Sequence, residues 1–532
     1  MGTPVPARCI TPQPRQSGLR SRIAWARKTP GGRRKIDRRP AWSRLDWIAL
    51  LAVTAGAAVL RLPGLSRPVG FVFDEIWYAR NACRYVIGTP ECGIDQLASR
   101  AHPPLGNWMI GAGIKLFGYD EFGWRISAAV AGIVTVALLF LLTWQLLRDA
   151  SPTARTFGAF TAAALLAGDF LHIVQSRVGM LDASVTLFVV AAMLFAVHDR
   201  DRRRPSDPDW DRRPAGVLSA LTLHRPWRLL AGVALGAAMA VKWSGAYVAL
   251  AVIGLTAAWE IAARRRAGPD APPRSLTSAT WLAIREELPR SVVLLGLVPL
   301  AVYLASYIGR MPGELIGLPW QEGTVWRGIW DHQQAMLTFH TTLEGSHPYE
   351  SPPWSWLLLK RPVAYYFAAD DGVFRQILAI GSPLTWGAGV IGLVALAVLW
   401  ARNGWRALGP EVVVIAAVLA TYLPWLLLQG NRSQVFLWYI LPTIPFLYAG
   451  LGVLAALAWR SVAGRAAVGA FAVAGVALLA FFFPLLTALP VTPDDWRARM
   501  WFTDCGRPGA PTLELPDSEI SSGPPPAGWC WI

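Results

Sequence analysis

The feature that most constrains this chain is a series of apolar runs, many of about the 20 residues that a membrane-crossing helix needs, repeated along most of its length. The runs lie near residues 47–60, 126–147, 157–171, 181–197, 229–241, 245–262, 291–308, 377–399, 412–428, 436–457 and 468–489. With 54% hydrophobic and only 16% charged residues among 532, the chain carries more apolar surface than one soluble core could cover. The runs predict an all-α polytopic membrane protein with eleven spans. No small-residue cleavage pattern follows the first run, so it reads as a retained helix rather than a signal peptide.

Lys and Arg in short loops set orientation, because they resist transfer across the membrane. Arg264, Arg265 and Arg266, and the basic stretch 200–228, fall on one side, whereas the opposite short loops hold few cations, such as Arg177 and Arg432. This bias predicts a cytoplasmic N-terminus and an outer C-terminus. Residues 1–45 read as a disordered basic cytoplasmic tail, 46–489 as the multispanning body with outer loops 62–125 and 309–376, and 490–532 as an outer tail. The net charge of +16 sits in clusters between apolar runs, which argues against nucleic acid as a partner. Residues 105–117 follow Pro103 and Pro104, are short for a span and contain Lys115; they read as an interfacial or re-entrant helix.

Four of the five cysteines fall on the outer side, the compartment that permits disulfides. Their placement allows two local bridges, Cys83 with Cys92 and Cys505 with Cys530.

Chemistry-bearing residues concentrate in the outer loops. Asp74 and Glu75 lie among Phe71, Phe73, Trp77 and Tyr78; a carboxylate partly withdrawn from water there gains proton affinity and suits a general base. The alternative is a solvated acid paired with Arg80 or Arg84. Arg125 can hold a lipid phosphate through two parallel hydrogen bonds, or can simply anchor a helix end. Arg177 and Asp182, with Asp169 and His172, are ionisable groups at membrane depth, which are functional candidates unless they pair structurally. His332, His340 and His347 invite a metal, yet their spacings of eight and seven residues match no compact ligand motif. The aromatic run around His347, Tyr349, Trp354 and Trp356 suits contact with sugar or peptide.

Taken in order, Asp74-Glu75, His102-Pro103-Pro104-Leu105-Gly106, Phe122-Gly123-Trp124-Arg125, Arg177-x-x-Met180-Leu181-Asp182, Lys242-Trp243-Ser244 and His347-Pro348-Tyr349-x-Ser351-x-Pro353-Trp354 resemble the bacterial protein O-mannosyltransferases over residues 45–505. The resemblance implies a GT-C glycosyltransferase fold at the bacterial plasma membrane, with an extracytoplasmic site. The implied donor is polyprenyl-phosphate-mannose and the implied acceptor a Ser or Thr hydroxyl of an exported protein, with membrane lipids and the secretion translocon as further partners. It assigns Asp74 as base, Glu75 as an orienting group, Arg125 and Arg177 to the donor phosphate, and Tyr78, His102, Asp182, Lys242, His347, Tyr349 and Trp354 to substrate. Direct displacement would invert the anomeric carbon. No cofactor is expected, and a divalent metal has no support in the pattern. The soluble MIR domain of eukaryotic relatives has no room in the second outer loop. Asn107, Gly179 and Ala183 depart from the family pattern, which bears on substrate contacts rather than on reaction class. The competing readings are a transferase of the same fold with a glycan or lipid acceptor, a transporter lined by Asp169, Arg177 and Asp182, and a structural scaffold.

Overall fold

Ser43 opens the first helix with a capping box: its hydroxyl accepts from the Asp46 N–H, and Asp46 accepts in return from the Ser43 N–H at 2.8 Å. Asp46 also takes hydrogen bonds from Trp144 Nε1 at 2.8 Å and Thr156 Oγ1 at 2.5 Å, so one carboxylate ties three helices together. The computed structural model describes residues 42–88, 91–94, 99–202, 225–265, 272–308, 310–311, 314–315, 325–342, 347, 349–370, 372–428 and 434–501. From Ser43 onward these form one unit. The expected N-terminal tail up to residue 41 and the Cys505–Cys530 pair lie outside the described residues.

Helices occupy all eleven expected positions. In chain order they begin with α1 (Arg44–Arg61), followed in the first long loop by α2 (Glu75–Val86) and α3 (Leu105–Phe117). Then come α4 (Glu121–Leu146), α5 (Pro152–Ala167), α6 (Phe170–Gln175), α7 (Asp182–Arg202), α8 (Pro226–Val241) and α9 (Tyr247–Arg265). α10 (Leu276–Val292) runs through a π turn into α11 (Val298–Ala305). After α12 (Val325–Thr342) in the second long loop come α13 (Pro383–Arg402), α14 (Pro410–Leu428), α15 (Ile444–Ala458), α16 (Val462–Thr487) and the short α17 (Pro493–Arg499). Among the described residues eight helical stretches are long and apolar enough to cross a membrane. The other three expected spans are α1, which carries Arg44, Asp46 and Arg61, and α5 and α8, each of 16 residues.

The core runs through α4, α5, α7, α8 and α15. α7 and the stretch Leu437–Ala458 are each 78% buried over their apolar windows, whereas α16 is only 6% buried and forms the periphery. Small residues let helices approach closely. A Cβ on Gly232 of α8 would stand 1.9 Å from the Leu294 carbonyl, and one on Gly236 2.5 Å from that of Pro299.

Two expectations need correction. The span expected at 291–308 begins at Leu276, because the charges that lower its hydropathy are internally neutralised. Glu287 is 2% exposed and accepts from Arg228 at 3.1 Å, and Arg228 also bonds Asp199 at 3.0 Å and Glu260 at 2.7 Å. The body is helical as expected, with two short hairpins added in the second long loop. The short β1 (Arg310–Met311) pairs with β2 (Glu314–Leu315), and β3 (Val363–Asp370) pairs antiparallel with β4 (Val373–Ala379) through a turn with Gly372 at φ 78. The run expected to start a helix at 377 is still strand there. Its β-branched and aromatic residues suit the pleated hairpin, and helix begins only at Pro383.

Candidate active site

The stretch between α1 and α2 is fixed by two guanidinium groups from elsewhere in the chain. Arg177 donates to the carbonyls of Leu60 (3.4 Å), Arg61 (2.7 Å) and Gly64 (3.1 Å), closing the end of α1. Arg125 donates to the carbonyls of Leu65 (3.2 Å), Pro68 (2.9 Å) and Gly70 (2.9 Å), and grips Glu75 through two bonds of 2.8 Å. All five of its N–H donors are thereby engaged. Glu75, 0% exposed, further accepts from the N–H groups of Val72 at 2.8 Å and Gly179 at 2.7 Å.

This geometry bears on three expected roles. Arg125 has no donor left for a lipid phosphate, and Arg177 is committed to backbone carbonyls. Glu75 is a loop anchor with both oxygens in use. These groups shape the loop that carries the site.

Asp74 stands apart from its neighbour. It occupies the position before α2 without spending its side chain on a cap, and its half-buried carboxylate makes no hydrogen bond to any described residue. Burial raises its proton affinity, with Asp182 pushing the same way and Lys242 opposing, so its pKa lies at about 7. Lys242 sits in extended backbone where α8 ends, donates to both Asp182 oxygens at 2.9 and 3.1 Å, and lies 4.7 Å from the centroid of the Tyr439 ring. A free carboxylate, a lysine and the aspartate that orients it thus meet at one place.

Aromatic rings enclose this group. Phe73 stacks on Tyr365 (4.5 Å between centroids) and meets Trp438 edge-on (5.2 Å). His347 faces Phe73 at 6.5 Å and Phe436 at 5.0 Å. Its Nδ1 accepts from the Tyr349 N–H at 3.2 Å, which leaves the ring proton on Nε2, and burial lowers its pKa to about 4. Tyr78 and His102 lie 6.0 Å apart, and His102 leads through His340 at 5.6 Å to Trp243, next to Lys242. Trp354 is the exception: it is 58% exposed and packs under Lys360, while the buried Trp356 is the one that reaches Tyr439, at 6.3 Å.

The three histidines of the second loop have separate attachments. His332 is held between Tyr307 and the Arg100 carbonyl, and His340 bonds the Ala101 carbonyl at 2.9 Å. Among the described residues no group of three or more metal-ligating side chains stands together. Cys83 and Cys92 are bridged, joining the last turn of α2 to the loop beyond it. Sequence reasoning named Phe73 only as part of the aromatic setting of Asp74 and missed Gln175, Tyr365, Trp438 and Tyr439. The tyrosine-rich run of β3 was the one signal available for Tyr365, and it reads equally well as ordinary strand composition.

A multispanning helical body with this carboxylate site belongs with the membrane glycosyltransferases of the GT-C fold. Over residues 51–308 the chain matches the family model of dolichyl-phosphate-mannose-protein mannosyltransferase, and over 325–505 that of the C-terminal four-span region of protein O-mannosyltransferase. It is 30% identical to the polyprenol-phosphate-mannose–protein mannosyltransferase of Mycobacterium tuberculosis, over 88% of this chain and 92% of that one. To the enzyme of the same name from Corynebacterium glutamicum it is 28% identical, over 87% and 94%. In fold it is similar to the Saccharomyces cerevisiae protein O-mannosyltransferase Pmt1-Pmt2 complex bound to its sugar donor, with a TM-score of 0.65, 15% identity and coverage of 87% of this chain and 93% of that one. The chain belongs to the protein O-mannosyltransferase family.

Proposed function

We propose that this enzyme transfers mannose from polyprenyl-phosphate-mannose to Ser or Thr hydroxyls of exported polypeptides, at the extracytoplasmic face of the bacterial plasma membrane. The observation that carries the reading is Asp74: a half-buried carboxylate with no hydrogen bond to a described residue and a pKa near neutrality, beside Lys242 and Asp182. The acceptor hydroxyl gives its proton to Asp74 as its oxygen bonds to the anomeric carbon. The bond from that carbon to the phosphate oxygen breaks, and polyprenyl phosphate leaves with the electron pair. Attack opposite the leaving group inverts the anomeric centre.

Positive charge is needed where the phosphate leaves. With Arg125 and Arg177 engaged by the loop, Lys242 is the cation best placed for that role; Asp182 aims its ammonium and Tyr439 flanks it. The half-buried ring of Tyr439, beside Lys242, offers a flat apolar face to the sugar. The names of the M. tuberculosis and C. glutamicum relatives support the donor and the protein acceptor.

Membranes containing the protein, given labelled polyprenyl-phosphate-mannose and a Thr-rich peptide, should label the peptide, and Asp74→Asn should abolish the label at equal protein level. Label appearing in a glycolipid or glycan, with none in the peptide, would replace the protein acceptor by another class. Full transfer by Asp74→Asn would refute the base.

A further inference from the structure

Nothing polar among the described residues holds the Asp74 side chain, so its direction is inherited from the backbone on either side. On one side Glu75 is clamped by Arg125 and the Gly179 N–H. On the other, Phe73 has φ 52, a left-handed conformation that bulky side chains rarely adopt and that persists only where its surroundings enforce it. The surroundings are specific. The Phe73 ring lies flat on Tyr365, with planes 10° apart, and is met edge-on by Trp438. Tyr365 is 1% exposed, and its hydroxyl accepts from Gln175 Nε2 at 2.6 Å. Gln175 ends α6 and is itself 0% exposed, with its other amide atom, Oε1, lacking a partner.

We propose that Tyr365 is a positioning residue for mannosyl transfer: braced by Gln175, its ring holds Phe73 in the left-handed conformation that aims the Asp74 carboxylate. This rests on the reading of Asp74 as the base. The strut runs from α6 through β3 to the residue before Asp74, so a side chain that touches no reacting atom sets the direction of one that does. Tyr365 also lies near enough to Asp74 for the two to interact electrostatically. The other groups facing that carboxylate are Lys242 at the end of α8, Asp182 at the start of α7 and the tyrosine hydroxyl itself; His347 reaches Phe73 from the second loop.

The test compares Tyr365→Leu, which removes the flat face, with Tyr365→Phe, which keeps the face and loses the bond to Gln175. Misdirection of a catalytic group by about 1 Å costs on the order of 100-fold, so the Leu variant should lose about that much kcat while KM for the lipid donor stays within about twofold. The Phe variant should recover most of that loss. Burial is the main cause of the raised Asp74 pKa, so a carboxylate swung out of its setting should titrate closer to an ordinary one, and the acid limb of kcat/KM in the Leu variant should move below that of the parent.

Rates are normalised to the fraction that elutes as monodisperse protein. If the Leu variant does not fold, Phe73→Leu removes the opposite half of the stack and should give the same signature. Equal losses in the Leu and Phe variants, a loss confined to KM, or an unmoved acid limb would overturn the proposal. Asp74→Asn run in parallel separates the two ideas: if it is inactive while Tyr365→Leu behaves as the parent, only the positioning role falls, whereas an active Asp74→Asn removes the base beneath it.

Discussion

Asp74 and Glu75 are adjacent, chemically near-identical and put to opposite uses. Glu75 accepts four hydrogen bonds and is sealed from water, while the half-buried Asp74 carboxylate takes none from a described residue. Exchanging Glu75 for Gln would leave the Arg125 guanidinium buried without its counter-charge, a loss worth about 3–5 kcal/mol. Glu75→Gln should therefore lower the thermal midpoint sharply and reduce activity through loss of folded protein. Asp74→Asn should do the reverse. The Asp74 carboxyl is raised to about 7 in the fold from an ordinary value of 3.8. The unfolded chain therefore releases that proton first, and the folded state loses stability as pH rises between those two values. The Asn variant should melt higher than the parent above pH 7 while failing to transfer mannose. In the parent, transfer should rise with pH through about 7, as the base ionises; a rate flat across that range would contradict the assignment. The sequence revealed this acidic pair and its aromatic setting. Only the family resemblance told the two acids apart, and nothing in the pattern showed that Arg125 and Arg177 are occupied, because the groups that occupy them are mostly backbone carbonyls, which every residue has.

At the level of elements, apolar runs disclosed the helices well, since a lipid-facing helix must advertise itself in composition. They failed where burial reverses composition. α10 carries Glu286, Glu287 and Arg290, and its charges are matched by Arg228 and Arg264 from neighbouring helices. The β3–β4 hairpin escaped notice because an aromatic run beside a predicted span reads as its continuation. α12 shows a different logic, turning its polar face inward. Trp243 donates to Tyr303, Tyr303 to Gln333 and Gln333 to Tyr307, while His332 joins Tyr307 to the Arg100 carbonyl. The second outer loop is thereby fastened to the first, just ahead of His102. The Cys83–Cys92 bridge fastens the first loop to itself across a sequence separation of nine. A loop of that size gains about 2–3 kcal/mol from closure. Replacing both cysteines by Ser should lower the thermal midpoint under oxidising conditions and abolish its response to reductant, and an unchanged midpoint would show that the packing of α2 already suffices.

At the scale of the molecule, eight helical stretches among the described residues are long and apolar enough to cross a bilayer, and α1, α5 and α8 would complete the proposed eleven only in company with their neighbours. With that count, α17 lies outside the cell. A cysteine placed at Asp494, which is exposed, should react with an impermeant maleimide in intact cells, and one placed at Arg265 should react only after lysis; the opposite pattern would invert the topology. The surroundings of Asp74 are gathered from almost the whole chain: Phe73 from the first loop, Gln175 from α6, Tyr365 from β3 and Trp438 from the turn before α15. During synthesis the first loop emerges long before residue 438 exists, and until then its carboxylate meets water as an ordinary acid. On the proposed role of Asp74, a chain truncated before residue 438 should be silent, and catalytic competence should arrive as a late event of biogenesis, when the final third of the polypeptide has been threaded into the membrane.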